Sequence, residues 1–100
     1  MLILMPLDSK DLDEAKLSKI EEVKIWGLFE LVEGKVKDVG FYDNWEDIEE
    51  FFDCVIVTSK LEYIWPFKEQ SIPVLEAPTQ RYVDDIIEAF LFKELYEVTN

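Results

Sequence analysis

A chain of 100 residues, 49% of them apolar and 14% aromatic, is long enough for one ordinary domain with a core of its own. Its 10 basic residues face 23 acidic ones, a net charge of −13. Nucleic acids and anionic membranes are bound mainly through Lys and Arg, so this balance argues against both as partners.

Leu2-Ile3-Leu4-Met5 is a short apolar run ended by Pro6, which fits a strand buried on both faces. Asp8 to Glu22 is polar, with Leu12, Ala15, Leu17 and Ile20 at spacings that permit a short helix. From Lys24 to Val32 the residues Ile25, Gly27, Phe29 and Leu31 alternate onto one face, the pattern of a strand. Glu33-Gly34 reads as a tight hairpin turn, with Gly34 supplying positive φ, and Lys35 to Tyr42 as the returning strand. The imperfect alternation of that strand predicts a bulge near Gly40.

Asn44 is a candidate N-cap for a short helix ending at Asp53, with Trp45, Ile48, Phe51 and Phe52 on its inner face. Cys54-Val55-Ile56-Val57 is another buried-strand run. Ser59 and Glu62 have capping-box spacing and predict a helix with Leu61, Ile64 and Trp65 inward. Pro66 interrupts it and can start a second turn. Ile72 to Leu75 reads as a strand, with Pro73 favouring an edge position. Thr79 is placed to cap the longest helix, about Gln80 to Tyr96, whose apolar stripe is Val83, Ile86, Ile87, Phe90, Leu91 and Leu95. Asp84 and Asp85 sit where the dipole of that helix favours them. The order predicts a single α/β domain over residues 1–100 with a mixed sheet, because a hairpin forces an antiparallel strand.

The layout resembles the dinitrogenase iron–molybdenum cofactor biosynthesis family. Four segments carry the resemblance: Leu2-Ile3-Leu4-Met5-Pro6; Ala15-Lys16-Leu17-Ser18-Lys19-Ile20; Phe29-Glu30-Leu31-Val32-Glu33-Gly34-Lys35-Val36; and Ala77-Pro78-Thr79 through to Phe92-Lys93-Glu94-Leu95. It implies a ribonuclease-H-like fold, a mixed five-stranded sheet flanked by helices. The departures bear on function. A His-Phe-Gly-Arg stretch common in the family is replaced by Ile20-Glu21-Glu22-Val23. Its Gly-rich turn after the fourth strand reads Thr58-Ser59-Lys60-Leu61, and a Gly-Gly after Ala-Pro reads Thr79-Gln80. The resemblance therefore carries over a fold and no cofactor-binding residue.

The residues themselves offer little chemistry. There is no histidine, hence no usual general base and no commonest metal ligand. Cys54 is the one soft metal-ligand candidate besides Met thioethers, but its apolar strand is where a free cysteine acts as a small hydrophobe. Asp8, Asp11 and Asp13 look like half of a calcium loop that lacks its glycine and closing glutamate. Ser9, Ser18, Ser59 and Ser71 have no histidine to activate them. A lone cysteine and an apolar N-terminus too short for a signal-peptide core lead us to expect a cytoplasmic protein.

The reading that results is a non-enzymatic accessory or binding domain without a cofactor or metal of its own. The alternative is an acidic protein-interaction module for a basic partner, using Trp26, Trp45, Tyr63, Trp65 and Phe67 as contact aromatics. A metal-dependent hydrolase comes third, since the first strand carries no acid.

Overall fold

The computed structural model describes residues Met1 to Thr99. Six strands form one mixed sheet in the order β3-β2-β1-β4-β5-β6. They are β1 (Leu2–Leu7), β2 (Ile25–Val32), β3 (Lys35–Tyr42), β4 (Cys54–Val57), β5 (Val74–Glu76) and β6 (Tyr96–Glu97). The two α-helices are α1 (Trp65–Glu69) and α2 (Val83–Leu91). Strand β1 is central, antiparallel to β2 and parallel to β4, while β5 is parallel to β4 and antiparallel to β6.

Alternation along the strands sorts the core onto two faces. Ile3, Met5, Leu7, Ile25, Phe29, Cys54 and Ile56 face one way and meet Val83, Ile86 and Ile87 of α2. Leu4, Trp26, Leu28, Val55, Val57 and Val74 face the other and meet Ile64 and Phe67 at α1. The apolar runs of β1 and β4 are continuous because both faces of these strands are covered. At Gly27 a β-carbon would lie 2.8 Å from the Phe29 ring and 2.9 Å from a Leu7 methyl group, so only glycine lets the buried Phe29 ring cross over β2.

The sheet has six strands, not the expected five. The extra one, Tyr96–Glu97, pairs with Leu75 and Glu76 where the sequence predicts the end of a long helix. That helix runs only from Val83 to Leu91, with Tyr82 rather than Thr79 at its N-cap. Pro73 does not mark an edge: it lies outside β5, and its carbonyl accepts from the Val55 amide at 3.0 Å. The bulge in the hairpin falls at Lys37, between the pairs Glu30–Asp38 and Leu31–Val36, rather than near Gly40.

The helix expected after Asn44 is a single 3-10 turn, Trp45–Asp47, in which Asn44 makes no side-chain cap. Phe51, placed on its inner face by spacing, is 98% exposed. Asp8 to Lys19 is not helical. Leu17 instead bridges Leu7, Lys16 bridges Tyr82, and a 3-10 turn follows at Ile20–Glu22. Among the described residues no helix is long and apolar enough to cross a membrane.

Candidate functional site

In open α/β sheets ligands gather at the carboxyl ends of the parallel strands. Here those ends are Leu7, Val57 and Glu76, and three loops leave them. Each loop is fastened by one of its own charged side chains. After β1, Asp8 Oδ1 accepts from the Lys16 amide at 2.8 Å. After β5, Arg81, the only arginine of the chain, donates to the carbonyls of Ala77 at 2.9 Å and Gln80 at 2.8 Å.

The loop after β4 is the most tightly closed. One carboxylate, that of Glu62, accepts from the amides of Thr58 at 3.1 Å and Ser59 at 3.0 Å. It also accepts from the Thr58 hydroxyl and, across the edge, from the Ile20 amide. The next two amides are filled as well: Lys60 N–H donates to Glu76 Oε2 at 2.9 Å and Leu61 N–H to Ser59 Oγ at 3.1 Å. Consecutive backbone N–H groups of this kind make an anion-binding concavity. In this chain the anions are its own carboxylates.

Two clefts flank this loop, about 660 Å³ on the β6 side and about 770 Å³ on the Ile20 side. Leu61 and Trp65 line both. Leu61, Tyr63, Trp65 and Tyr96 are all more than half exposed. The aromatics weighed as contact residues thus divide. Trp26 and Phe67 are core and Trp45 is half-buried against Phe67, whereas Tyr63 and Trp65 stand in solvent at the carboxyl edge.

Cys54 begins β4 at the opposite end of the strand, 4% exposed. Burial, then the neighbouring charge of Asp53, push its thiol up to about 12, so the thiolate that would bind metal is disfavoured. Asp8, Asp11 and Asp13 do not converge on an ion: Asp8 and Asp11 each cap a backbone amide. Among the described residues no group of three or more His, Cys, Asp or Glu side chains could hold a metal ion. An iron–sulfur or iron–molybdenum cluster needs thiolate or imidazole anchors, and the donors present do not fit one.

What the fold and this edge define is a small mixed-sheet α/β domain with self-fastened loops and an aromatic rim. No family model matches the sequence, and no curated protein matches it. Among solved structures the chain is similar to the crystal structure of a "putative dinitrogenase" from Methanocaldococcus jannaschii, with a TM-score of 0.77 and 20% identity, covering 100% of this chain and 96% of that one. The NMR structure under the same description, from Methanococcus jannaschii, gives 0.76 and 22%, covering 100% and 94%. The crystal structure of PH0822 gives 0.70 and 15%, covering 100% and 98%. At these identities the likeness is one of fold.

Sequence reasoning missed Glu62 as an edge-closing residue. The capping-box spacing of Ser59 and Glu62 was the signal, but the helix it predicts does not form: α1 starts only at Trp65, and Leu61 and Trp65 are exposed rather than inward. Of the box only the bond from the Ser59 amide to Glu62 is made, because that carboxylate is drawn to the loop amides instead. The reach to Ile20, 42 residues away, has no local signature.

Proposed function

We propose that this chain is a non-enzymatic accessory or binding domain, a diverged relative of the dinitrogenase iron–molybdenum cofactor biosynthesis family that no longer ligates a cluster directly. The Glu62 carboxylate carries the reading, because it occupies the amides that a Gly-rich turn would leave open to a ligand. The dinitrogenase description of two solved neighbours supports the lineage. A β3-β2-β1-β4-β5 core of one antiparallel hairpin and three parallel strands supports a ribonuclease-H-like assignment, with β6 an addition at its edge. The exposed Leu61, Trp65 and Tyr96 give such a domain an adhesive surface at the carboxyl edge. The lone buried thiol favours a reducing, cytoplasmic setting.

The test is anaerobic titration with a preformed iron–sulfur or iron–molybdenum cluster, then gel filtration and metal analysis. The expected result is protein eluting free of metal. Near-stoichiometric metal that is lost in Cys54→Ala would overturn the reading and make Cys54 a ligand. Metal retained equally by both proteins would overturn it too, in favour of a carboxylate or backbone site.

A further inference from the structure

A second surface lies away from the carboxyl edge. The connection from β3 to β4 carries Asp43, Glu46, Asp47, Glu49, Glu50 and Asp53, and neither lysine nor arginine. Its 3-10 turn seats Trp45 on the second core, ring centroids 4.5 Å from Phe67. Phe52 then packs edge-on against Trp45 at 6.3 Å. Between these two anchors the chain carries Phe51 off the body of the domain, at 98% exposure. Its ring is more exposed than Leu61 at the carboxyl edge, at 88%.

Beside Phe51 runs a groove of about 320 Å³, between this connection and the end of α1. Trp45, Ile48, Phe52 and Ile72 give it an apolar lining, Glu46, Glu49 and Glu50 border it, and no basic residue does. The backbone amides from Glu49 to Phe52 donate to no backbone acceptor among the described residues. The surface therefore offers an exposed ring, an apolar groove, a row of carboxylates and open N–H groups.

We propose that this groove docks an extended basic segment of a protein partner. Lys or Arg side chains of the segment face Glu46, Glu49 and Glu50, an apolar side chain packs beside Phe51, and its carbonyls take the open amides in strand-like pairing. Charge complementarity selects this occupant. A second copy of the chain would bring another −13 against the same carboxylates, and a nucleic acid would be repelled by them. The inference rests on the reading of the chain as a binding domain and adds the surface and the chemistry of the partner.

The test uses the full ¹⁵N-labelled chain. The probe is a synthetic peptide of about twelve residues, alternating Lys and Arg around two central Leu, in roughly 20 mM NaCl where charges are little screened. Its control replaces both Leu by Ser at equal charge. Expected are amide shifts confined to residues 45–52 and 70–72, which contain the groove residues. Binding should weaken about tenfold in the triple variant E46Q/E49Q/E50Q and severalfold in Phe51→Ser, and stay unchanged in Phe92→Ser, an exposed aromatic outside the groove. These are surface changes, and unaltered spectra elsewhere report that the variants are folded.

Equal binding of the Ser peptide, or full binding by the triple variant, would overturn the proposal in favour of diffuse charge attraction. So would the absence of binding, or groove shifts that appear with rising protein concentration and no peptide, the mark of self-association. Shifts centred on Trp65 would overturn the groove while leaving a binding domain that works at its carboxyl edge. None of these outcomes depends on the cluster titration, so the two readings fail separately.

Discussion

Glu62 shows how much one side chain can fix. Its carboxylate holds the amides of Thr58, Ser59 and Ile20, joining the loop after β4 to the 3-10 turn before β2. Hydrogen bonds to a charged group contribute about 1.5–3 kcal/mol each in isolation, and a shared acceptor gives less than their sum. Glu62→Ala should therefore destabilise the domain by about 2–4 kcal/mol in urea unfolding, and Glu62→Gln by less, because it keeps an acceptor but not the charge. A loss under about 0.5 kcal/mol, typical of surface changes, would mean the loop is held by other contacts. Cys54 gives a pH signature. Its thiol is raised from 9.0 to about 12 in the fold, chiefly by burial. The native state then keeps a proton that the unfolded chain releases, so this contribution is full below pH 9 and is lost as pH rises toward 12. Cys54→Ala should flatten the fall in stability across that window relative to wild type. Parallel curves would show that the thiol does not titrate differently in the two states.

Both α-helices end in the same way, and this explains what the sequence conceals. After α2, Lys93 takes φ 59°, its amide donates to Phe90, and the Glu94 amide donates to Ala89. After α1, Ser71 takes φ 60°, its amide donates to Lys68, and the Ile72 amide donates to Phe67. These are Schellman closures with the left-handed position filled by residues other than the usual glycine. A left-handed non-glycine residue costs roughly 1–2 kcal/mol, partly offset because glycine loses more entropy on folding. Lys93→Gly should thus stabilise the protein by about 0.5–1 kcal/mol, read as a higher urea midpoint at unchanged slope. An unchanged or lower midpoint would show that the Lys93 side chain has a role its exposure does not reveal. The missing glycine is also why the sequence runs α2 on to Tyr96 and loses β6. By contrast, Glu33-Gly34 carries its signal openly: the φ values are 54° and 79°, and the strands it joins lie close to where alternation puts them. The runs of β1 and β4 were legible for the same reason, since continuous apolar sequence needs cover on both faces. The segment Trp45 to Phe52 misled because Trp45, Ile48 and Phe52 do pack inward, from a chain too extended to be a helix.

The charge of the whole molecule sets its response to salt. Folding gathers 23 acidic and 10 basic residues into a body with a radius of gyration of 12.1 Å. An unfolded chain of this length spreads the same charges over a radius of about 30 Å. At 0.01 M salt the Debye length is about 30 Å, so every carboxylate on the folded domain acts on every other one. By 0.1 M it has fallen to about 10 Å, shorter than the radius of gyration, and repulsion across the molecule is largely gone. Sodium chloride should therefore raise the melting temperature between those concentrations. Relief of about 1 kcal/mol corresponds to roughly 4–8 °C for a domain of this size. The rise should level off above about 0.1 M, because further screening removes little long-range repulsion. A melting temperature that falls across this range would mean that attractive pairs outweigh the excess of acids. A rise that continues undiminished toward about 1 M would assign the effect to salting-out of the apolar surface that folding buries rather than to the net charge.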